Sequence, residues 1–347
     1  MTEANFPLLS LLILTLPVGG ALIWLWPNAS HARWLALATA LADLLLSLTV
    51  LFQFDAGVSG FQMVESAVWM PSINAQYQVG VDGISVLFLP LTVILFIGVI
   101  LSSWHSVAHM QRLYYSLMLL LESATLGIFC ALDGILFMLF WELTLIPIYF
   151  LVSFWGVGPN RRFAAVKYTL FMLAGGIPLI FGFVLVAFSH AEMAASFPAG
   201  LTFDYLAWLN TPLPLDLQKQ VFLLLLLGFA FKLPVVPFHT WLPVMVMQGP
   251  VSVTATIVGL KLGAYGVIRY VVPLAPQAAQ EFAWLLTVAG AVGIVYGAVV
   301  AMAQTNLRRM LAFSSISHIG LVLLGIAAFT QQGIQGAIFQ LLNFVVI

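Results

Sequence analysis

Residues 221–241 read VFLLLLLGFAFKLPVVPFHTW, an apolar run long enough to cross a bilayer, with Lys232 near its middle and Pro234 and Pro237 just after it. A lone charge at mid-bilayer costs about 2.5 to 3.5 kcal/mol on insertion scales, so a lysine there marks an ion or proton pathway. Each proline lacks an N–H and crowds the preceding turn, which predicts a helix broken at mid-depth with backbone carbonyls set free. Broken backbone at that depth is tolerated where it lines a cavity or is buried in protein. Two more stretches share the pattern: residues 135–155, ILFMLFWELTLIPIYFLVSFW, centre on Glu142, and residues 251–272, VSVTATIVGLKLGAYGVIRYVV, carry Lys261.

Composition agrees with a bilayer setting. The 347 residues are 63% hydrophobic and 7% charged, with a mean hydropathy of +1.10, which no soluble core can absorb, so the class is an all-α polytopic membrane protein. A net charge of -1 leaves no nucleic-acid footprint, and a single cysteine, Cys130, excludes a disulfide framework or a thiolate-held cluster. Apolar runs of roughly 20 residues, matched to a hydrocarbon core of roughly 30 Å, predict ten spans. They cover 7–26, 33–54, 84–104, 113–131, 134–156, 163–189, 219–248, 251–272, 282–303 and 309–329. A further segment opens at Gly333 and reaches Ile347 after 15 residues, reading as a helix cut short, so about 10 to 11 transmembrane helices are expected. The first run follows Glu3 rather than a basic patch and reads as a helix, not a signal peptide.

Loop charges set the orientation. Arg33, Arg112, Arg161, Arg162, Arg308 and Arg309 fall on one side of the alternating spans. Asp55, Glu65, Asp82, Asp133, Glu192, Asp204, Asp216 and Glu281 fall on the other, with Lys219 the basic exception. Retained loops are Lys/Arg-rich, which puts the N-terminus outside. Two longer outer loops, 55–83 and 190–218, read as lids or subunit contacts, the first able to hold a short hairpin.

The buried charges suggest a switch. Burial disfavours an ammonium and a neighbouring carboxylate favours it, so Glu142 approaching or leaving Lys232 would make the lysine hold its proton or pass it to Lys261. The competing reading is a structural Glu–Lys pair that fixes helix register. Glu122 suits coupling to a neighbouring subunit or contact with interfacial water. His318, near Ser314, Ser315 and Ser317, suits a hydrated relay or a plain hydrogen bond. His239 would extend a water path or cap the second half-helix. Lys167 and Arg269 are expected to snorkel to the interfaces. His105 and His109 share an i, i+4 face but lack a third ligand and read as solvated loop, so no metal or cofactor site is expected in this chain.

With those residues in place, the segments resemble a known family. Phe140-Trp141-Glu142-Leu143 followed by Leu145-Ile146-Pro147-Ile148-Tyr149-Phe150 is one such match, as are the upstream run Tyr114 to Glu122 and Gly80-Val81-Asp82-Gly83. Most specific is Phe231 to Pro243, FKLPVVPFHTWLP, continued by Gly259-Leu260-Lys261-Leu262-Gly263-Ala264-Tyr265-Gly266. They are similar to the M-type (chain 4) antiporter-like proton-channel subunits of NADH:quinone oxidoreductase, respiratory complex I, with the match running from about Gly80 onward. The resemblance implies a coupling pair at Glu142 and Lys232, a central lysine at Lys261, and further relay positions at Glu122 and His318. It also implies inverted five-helix repeats, with helices 1–3 over 1–112, a channel repeat over 113–272 and an incomplete second repeat over 273–347. NADH, FMN, iron–sulfur clusters and quinone would belong to partner subunits, and the partners would be other membrane-arm subunits, lipid and protons in a bacterial inner membrane.

The sequence departs from that pattern. Val244-Met245-Val246 stands where the family usually has Asp-Ala-His after Trp-Leu-Pro, and Phe344 follows Asn343 where a histidine is common. A charged position on the family's twelfth span lies beyond Ile347. The alternatives are an antiporter-like subunit of a multi-subunit Na+/H+ antiporter or membrane-bound hydrogenase, and a non-conducting structural subunit. A membrane haem or quinone protein would need His239 and His318 paired at one depth.

Overall fold

The computed structural model describes residues 6–193 and 200–346. Glu3, used in reading the first span, Ile347 and part of the second long loop lie outside the described residues. In chain order, α1 (Leu8–Leu25) and α2 (Ala32–Gln53) precede a hairpin of β1 (Gln62–Met70) and β2 (Ala75–Val81). Then follow α3 (Phe88–Ser102), α4 (Gln111–Cys130), α5 (Gly134–Leu143), α6 (Leu145–Trp155) and α7 (Arg161–Met193). The next elements are α8 (Tyr205–Leu209), α9 (Leu215–Lys232), α10 (Trp241–Gln248), α11 (Val251–Gly259), α12 (Leu262–Gly266), a π-helical turn (Val267–Val271) and α13 (Val272–Leu274). Last come α14 (Pro276–Glu281), α15 (Ala283–Met302), α16 (Leu307–Ala327) and α17 (Gln331–Val346).

This is a multi-pass membrane protein. Among the described residues, eight helical spans are long and apolar enough to cross a bilayer, the pairs α5–α6 and α11–α13 each counting as one. The expected third span is shorter than read, since Asp82 accepts from the N–H groups of Ile84 and Ser85 in a turn and helix begins only at Phe88. The fifth span is interrupted at Thr144, because Pro147 cannot donate to the carbonyl four residues back. The eighth, read as continuous, is interrupted at Leu260 and Lys261 and then widens into the π turn.

Two compact units are present. The first comprises the described residues to Trp155 with Pro250–Gly259, and so contains α1–α6, the hairpin and α11. Within it α4 is the most enclosed element, packed by α1, α2, α3, α5 and α6. Ser116 Oγ donates to the Gly20 carbonyl at 3.1 Å and Ser123 Oγ to the Ile13 carbonyl at 2.7 Å, joining α4 to α1 where small residues let backbones approach. Leu14, Leu45 and Phe52 face outward, as lipid-facing side chains do.

The hairpin in the first long loop pairs antiparallel, with Glu65 opposite Val79 and Ala67 opposite Tyr77. Two acids pin it to helix starts. Glu65 accepts from the N–H groups of Leu9 at 2.6 Å and Ser10 at 2.9 Å and from the Ser10 hydroxyl, so a strand residue caps α1. Asp133 accepts from Ile135 N at 2.8 Å and Leu136 N at 3.1 Å as the N-cap of α5, and its other oxygen takes the Gln76 N–H at 3.0 Å.

The second unit comprises 156–249 and 260–345. In it α15 packs closely against α16, where a Cβ added at Gly297 would lie 2.5 Å from Ser317 N. Only glycine permits that approach.

Candidate functional site

Glu142 and Glu122 belong to the first unit; Lys232, Lys261, His239 and His318 belong to the second. Glu142 occupies the last turn of α5, two residues before the Thr144 interruption, where Thr144 Oγ1 donates to the Trp141 carbonyl at 2.8 Å. Glu122, at 0% exposure, sits mid-way along α4.

In the second unit Lys232 ends α9, where carbonyls without helical partners carry partial negative charge and favour a cation. Leu233 is extended, and the helix resumes only after a 3₁₀ turn over Phe238–Thr240, as the prolines predicted. The freed carbonyls find side-chain donors. Trp241 Nε1 donates to the Phe231 carbonyl at 2.9 Å across the gap, and Lys167 Nζ to the Thr240 carbonyl at 3.1 Å. Lys167 therefore reaches the helix break. His239 Nε2 meets the Tyr296 hydroxyl at 3.1 Å and does not cap α10.

Lys261 lies in the second interruption, before α12, at 8% exposure. Its Nζ donates to Ser315 Oγ at 2.7 Å and stands 5.2 Å from the centroid of the Phe344 ring. It makes no ion pair among the described residues. Ser315 lies one turn before His318 on α16, and the His318 ring is 5.6 Å from Phe344. The phenyl ring thus occupies the lysine's surroundings at the position where the resemblance places a histidine. The two interruptions of α9 and α11–α12 are brought together by Gly263, since a Cβ there would lie 2.6 Å from Leu233 N and 2.9 Å from the Phe229 carbonyl. Val244 and Val246 fall on α10, which is lined by apolar Leu242, Met245 and Val246.

Arg269 corrects the expectation of snorkelling. It is 4% exposed, its Nε donates to Tyr265 Oη at 3.1 Å, and its guanidinium stands 5.4 Å from the centroid of that ring. Tyr205 donates to the Arg269 main-chain carbonyl at 2.5 Å. Sequence reading also missed Asp43, a single acid inside the apolar run of α2 and wholly buried. His105 and His109 take part in no metal-type cluster, since no group of three His, Cys, Asp or Glu side chains among the described residues could hold an ion.

The profile of the family described as NADH:quinone oxidoreductase/Mrp antiporter, transmembrane, matches residues 131–347. The chain belongs to that family. A family relative, an NAD(P)H-quinone oxidoreductase chain 4 from Picosynechococcus sp. (strain ATCC 27264 / PCC 7002 / PR-6), is 42% identical over 344 residues, covering 98% of this chain and 61% of the relative. Another from Nostoc sp. (strain PCC 7120 / SAG 25.82 / UTEX 2576) is 39% identical over 349 residues, covering 99% and 63%. The chain therefore spans less than two thirds of the length of these relatives. A chain of respiratory complex I from Thermus thermophilus with bound NADH has a TM-score of 0.85 at 28% identity, over 97% of this chain and 68% of that one. A chain of the Mrp complex from Dietzia sp. DQ12-45-1b shares the fold, with a TM-score of 0.79 at 23% identity over 98% of this chain and 36% of the other. The interrupted seventh helix and Lys261 both fall inside the segment the family profile matches.

Proposed function

We propose that this chain is a proton-translocating membrane-arm subunit of an NADH:quinone oxidoreductase-like complex. One observation carries the reading: Lys261 is a buried amine without a carboxylate partner among the described residues, hydrogen-bonded at 2.7 Å to a serine hydroxyl one turn from His318. A hydroxyl both accepts and donates, so it can relay a proton between an amine and an imidazole.

In this reading Glu142 is the coupling acid, Lys232 the amine at the helix break opened by Pro234 and Pro237, and Lys261 the central carrier. Ser315, His318 and His239 extend the path, with Glu122 as a further acid. The channel repeat covers 113–272, the second repeat begins at 273, and the N-terminus faces the outer side of a bacterial inner membrane. Redox chemistry on NADH, FMN, iron–sulfur clusters and quinone belongs to partner subunits, and the enzyme is the assembly.

The test is proton pumping by vesicles carrying the assembled complex with Glu142→Gln or Lys261→Ala. Pumping is expected to fall at least about tenfold, the effect of a barrier raised by about 1.4 kcal/mol. Normal pumping at normal quinone reduction defeats the proposal. Membership of a family that includes Mrp antiporters supports a second reading, an antiporter subunit exchanging H+ for Na+. Transport that requires Na+ and persists without NADH would select it. Unimpaired pumping with Lys232→Ala would instead select a structural, non-conducting role.

A further inference from the structure

Asp43 and Glu122 are both at 0% exposure, and neither oxygen of either carboxyl has a hydrogen-bond partner among the described residues. Buried polar groups are nearly always partnered, so four unpartnered carboxyl oxygens in one helix cluster call for a ligand.

Their placement puts them at one depth on helices that pack against each other. At the start of α2, Arg33 Nη1 donates to the Trp104 carbonyl at 3.3 Å; at the start of α4, Arg112 Nη2 donates to the carbonyls of Trp26 and Pro27 at 2.8 and 2.9 Å. Trp26 and Pro27 lie in the connection that leads into α2, so both helices begin at the same end of the unit. Asp43 follows Arg33 by ten residues, and Glu122 follows Arg112 by ten. At about 1.5 Å per residue each acid lies about 15 Å in, half of a hydrocarbon core of roughly 30 Å. Asp43 stands on the inward stripe of α2 with Ala36, Ala40, Ser47 and Val50, and α2, α4 and α1 pack on one another.

Among the described residues, the helices packed around them place no Lys, Arg or His at that depth. The described parts of α1, α3 and α11 carry no Lys, Arg, His, Asp or Glu. Arg33 and Arg112 sit at the far ends of α2 and α4, while α4 adds Tyr114, Tyr115 and Cys130, α5 adds Glu142, and α6 adds Tyr149. Glu65, Tyr77 and Asp133 belong to the hairpin end. Two like charges at one depth, without donor or counter-charge, cannot both stay ionised.

We propose that Asp43 and Glu122 form a two-carboxyl proton site at mid-membrane depth, holding one exchangeable proton between them. Proton occupancy of this pair is distinct from conduction, so the site goes beyond the transport reading and is measured separately from pumping.

The experiment is infrared difference spectroscopy of the assembled complex as pH is stepped, comparing the unaltered protein with Asp43→Asn and Glu122→Gln. The expected result is a protonated-carboxyl stretch at neutral pH that shifts in heavy water. Each variant should alter that one band, and the midpoint of the surviving acid should move by about one unit or more, as for coupled carboxyls. If either neutral variant fails to assemble, Asp43→Glu and Glu122→Asp keep the acid chemistry and should displace the band. Absence of a protonated band sensitive to both positions overturns the proposal. So does an unmoved midpoint in either variant, or displacement of the band by Na+ at constant pH, which would mark a monovalent-cation site.

Discussion

Replacing Glu65 by alanine removes the acceptor for the first turn of α1. The carboxylate takes two main-chain N–H groups, from Leu9 at 2.6 Å and Ser10 at 2.9 Å, and the Ser10 hydroxyl. Leu9 is fully buried, so its N–H would be left without a partner at a cost of about 1 to 3 kcal/mol. Ser10 is only part-buried and can turn to water. Loss of a negative charge at a helix N-terminus adds about 0.3 to 1 kcal/mol. A central figure of about 2 kcal/mol makes local opening about 30-fold more populated. Hydrogen exchange of peptides covering the start of α1 and the strands should therefore accelerate about 30-fold in Glu65→Ala. Glu65→Gln, which keeps an acceptor and loses the charge, should accelerate it only about two- to five-fold. Acceleration below about two-fold in the alanine variant, or acceleration at α1 without any at the hairpin, would refute the idea that a strand residue caps this helix.

Four further outcomes follow from the geometry. Trp241→Phe leaves the Phe231 carbonyl in the helix gap without its donor and should cost about 1 to 3 kcal/mol, read as a lower midpoint of thermal unfolding. Gly263→Ala should cost about 1 to 3 kcal/mol in the same assay, because backbone atoms of Leu233 and Phe229 block the added carbon. Phe344→Leu removes the ring beside the Lys261 ammonium, a contact worth about 0.5 to 2 kcal/mol, and should change the pumping rate; an unchanged rate would remove that ring from the relay. Lys219→Ala breaks the 2.9 Å pair with Glu281, which is solvent-accessible, and should shift stability by no more than about 1 kcal/mol, less at high salt.

The sequence carried the features that local chemistry dictates. Pro234 and Pro237 announce the gap after Lys232. Pro147 gave the same signal for the break at Thr144, but an unbroken hydropathy profile concealed it. The break at Lys261 has no proline to predict it; its surroundings are tertiary, with Gly263 admitting the backbone of Leu233 from another helix. Arg269 looked like an interfacial anchor because spans are read by distance from their ends, whereas its guanidinium is buried against Tyr265. Asp43 escaped because one acid among leucines and alanines hardly lowers the average over a window, although its cost is local. The union of Lys261 with Ser315 and Phe344 joins positions far apart in sequence, which no spacing rule reveals.

Trp241 gives the interrupted helix an optical handle. Its indole is buried and its N–H is committed to a carbonyl on the opposite lip of the gap. The vibrational frequency of that N–H therefore acts as a built-in strain gauge, reporting during turnover whether the two half-rods keep their separation or slide.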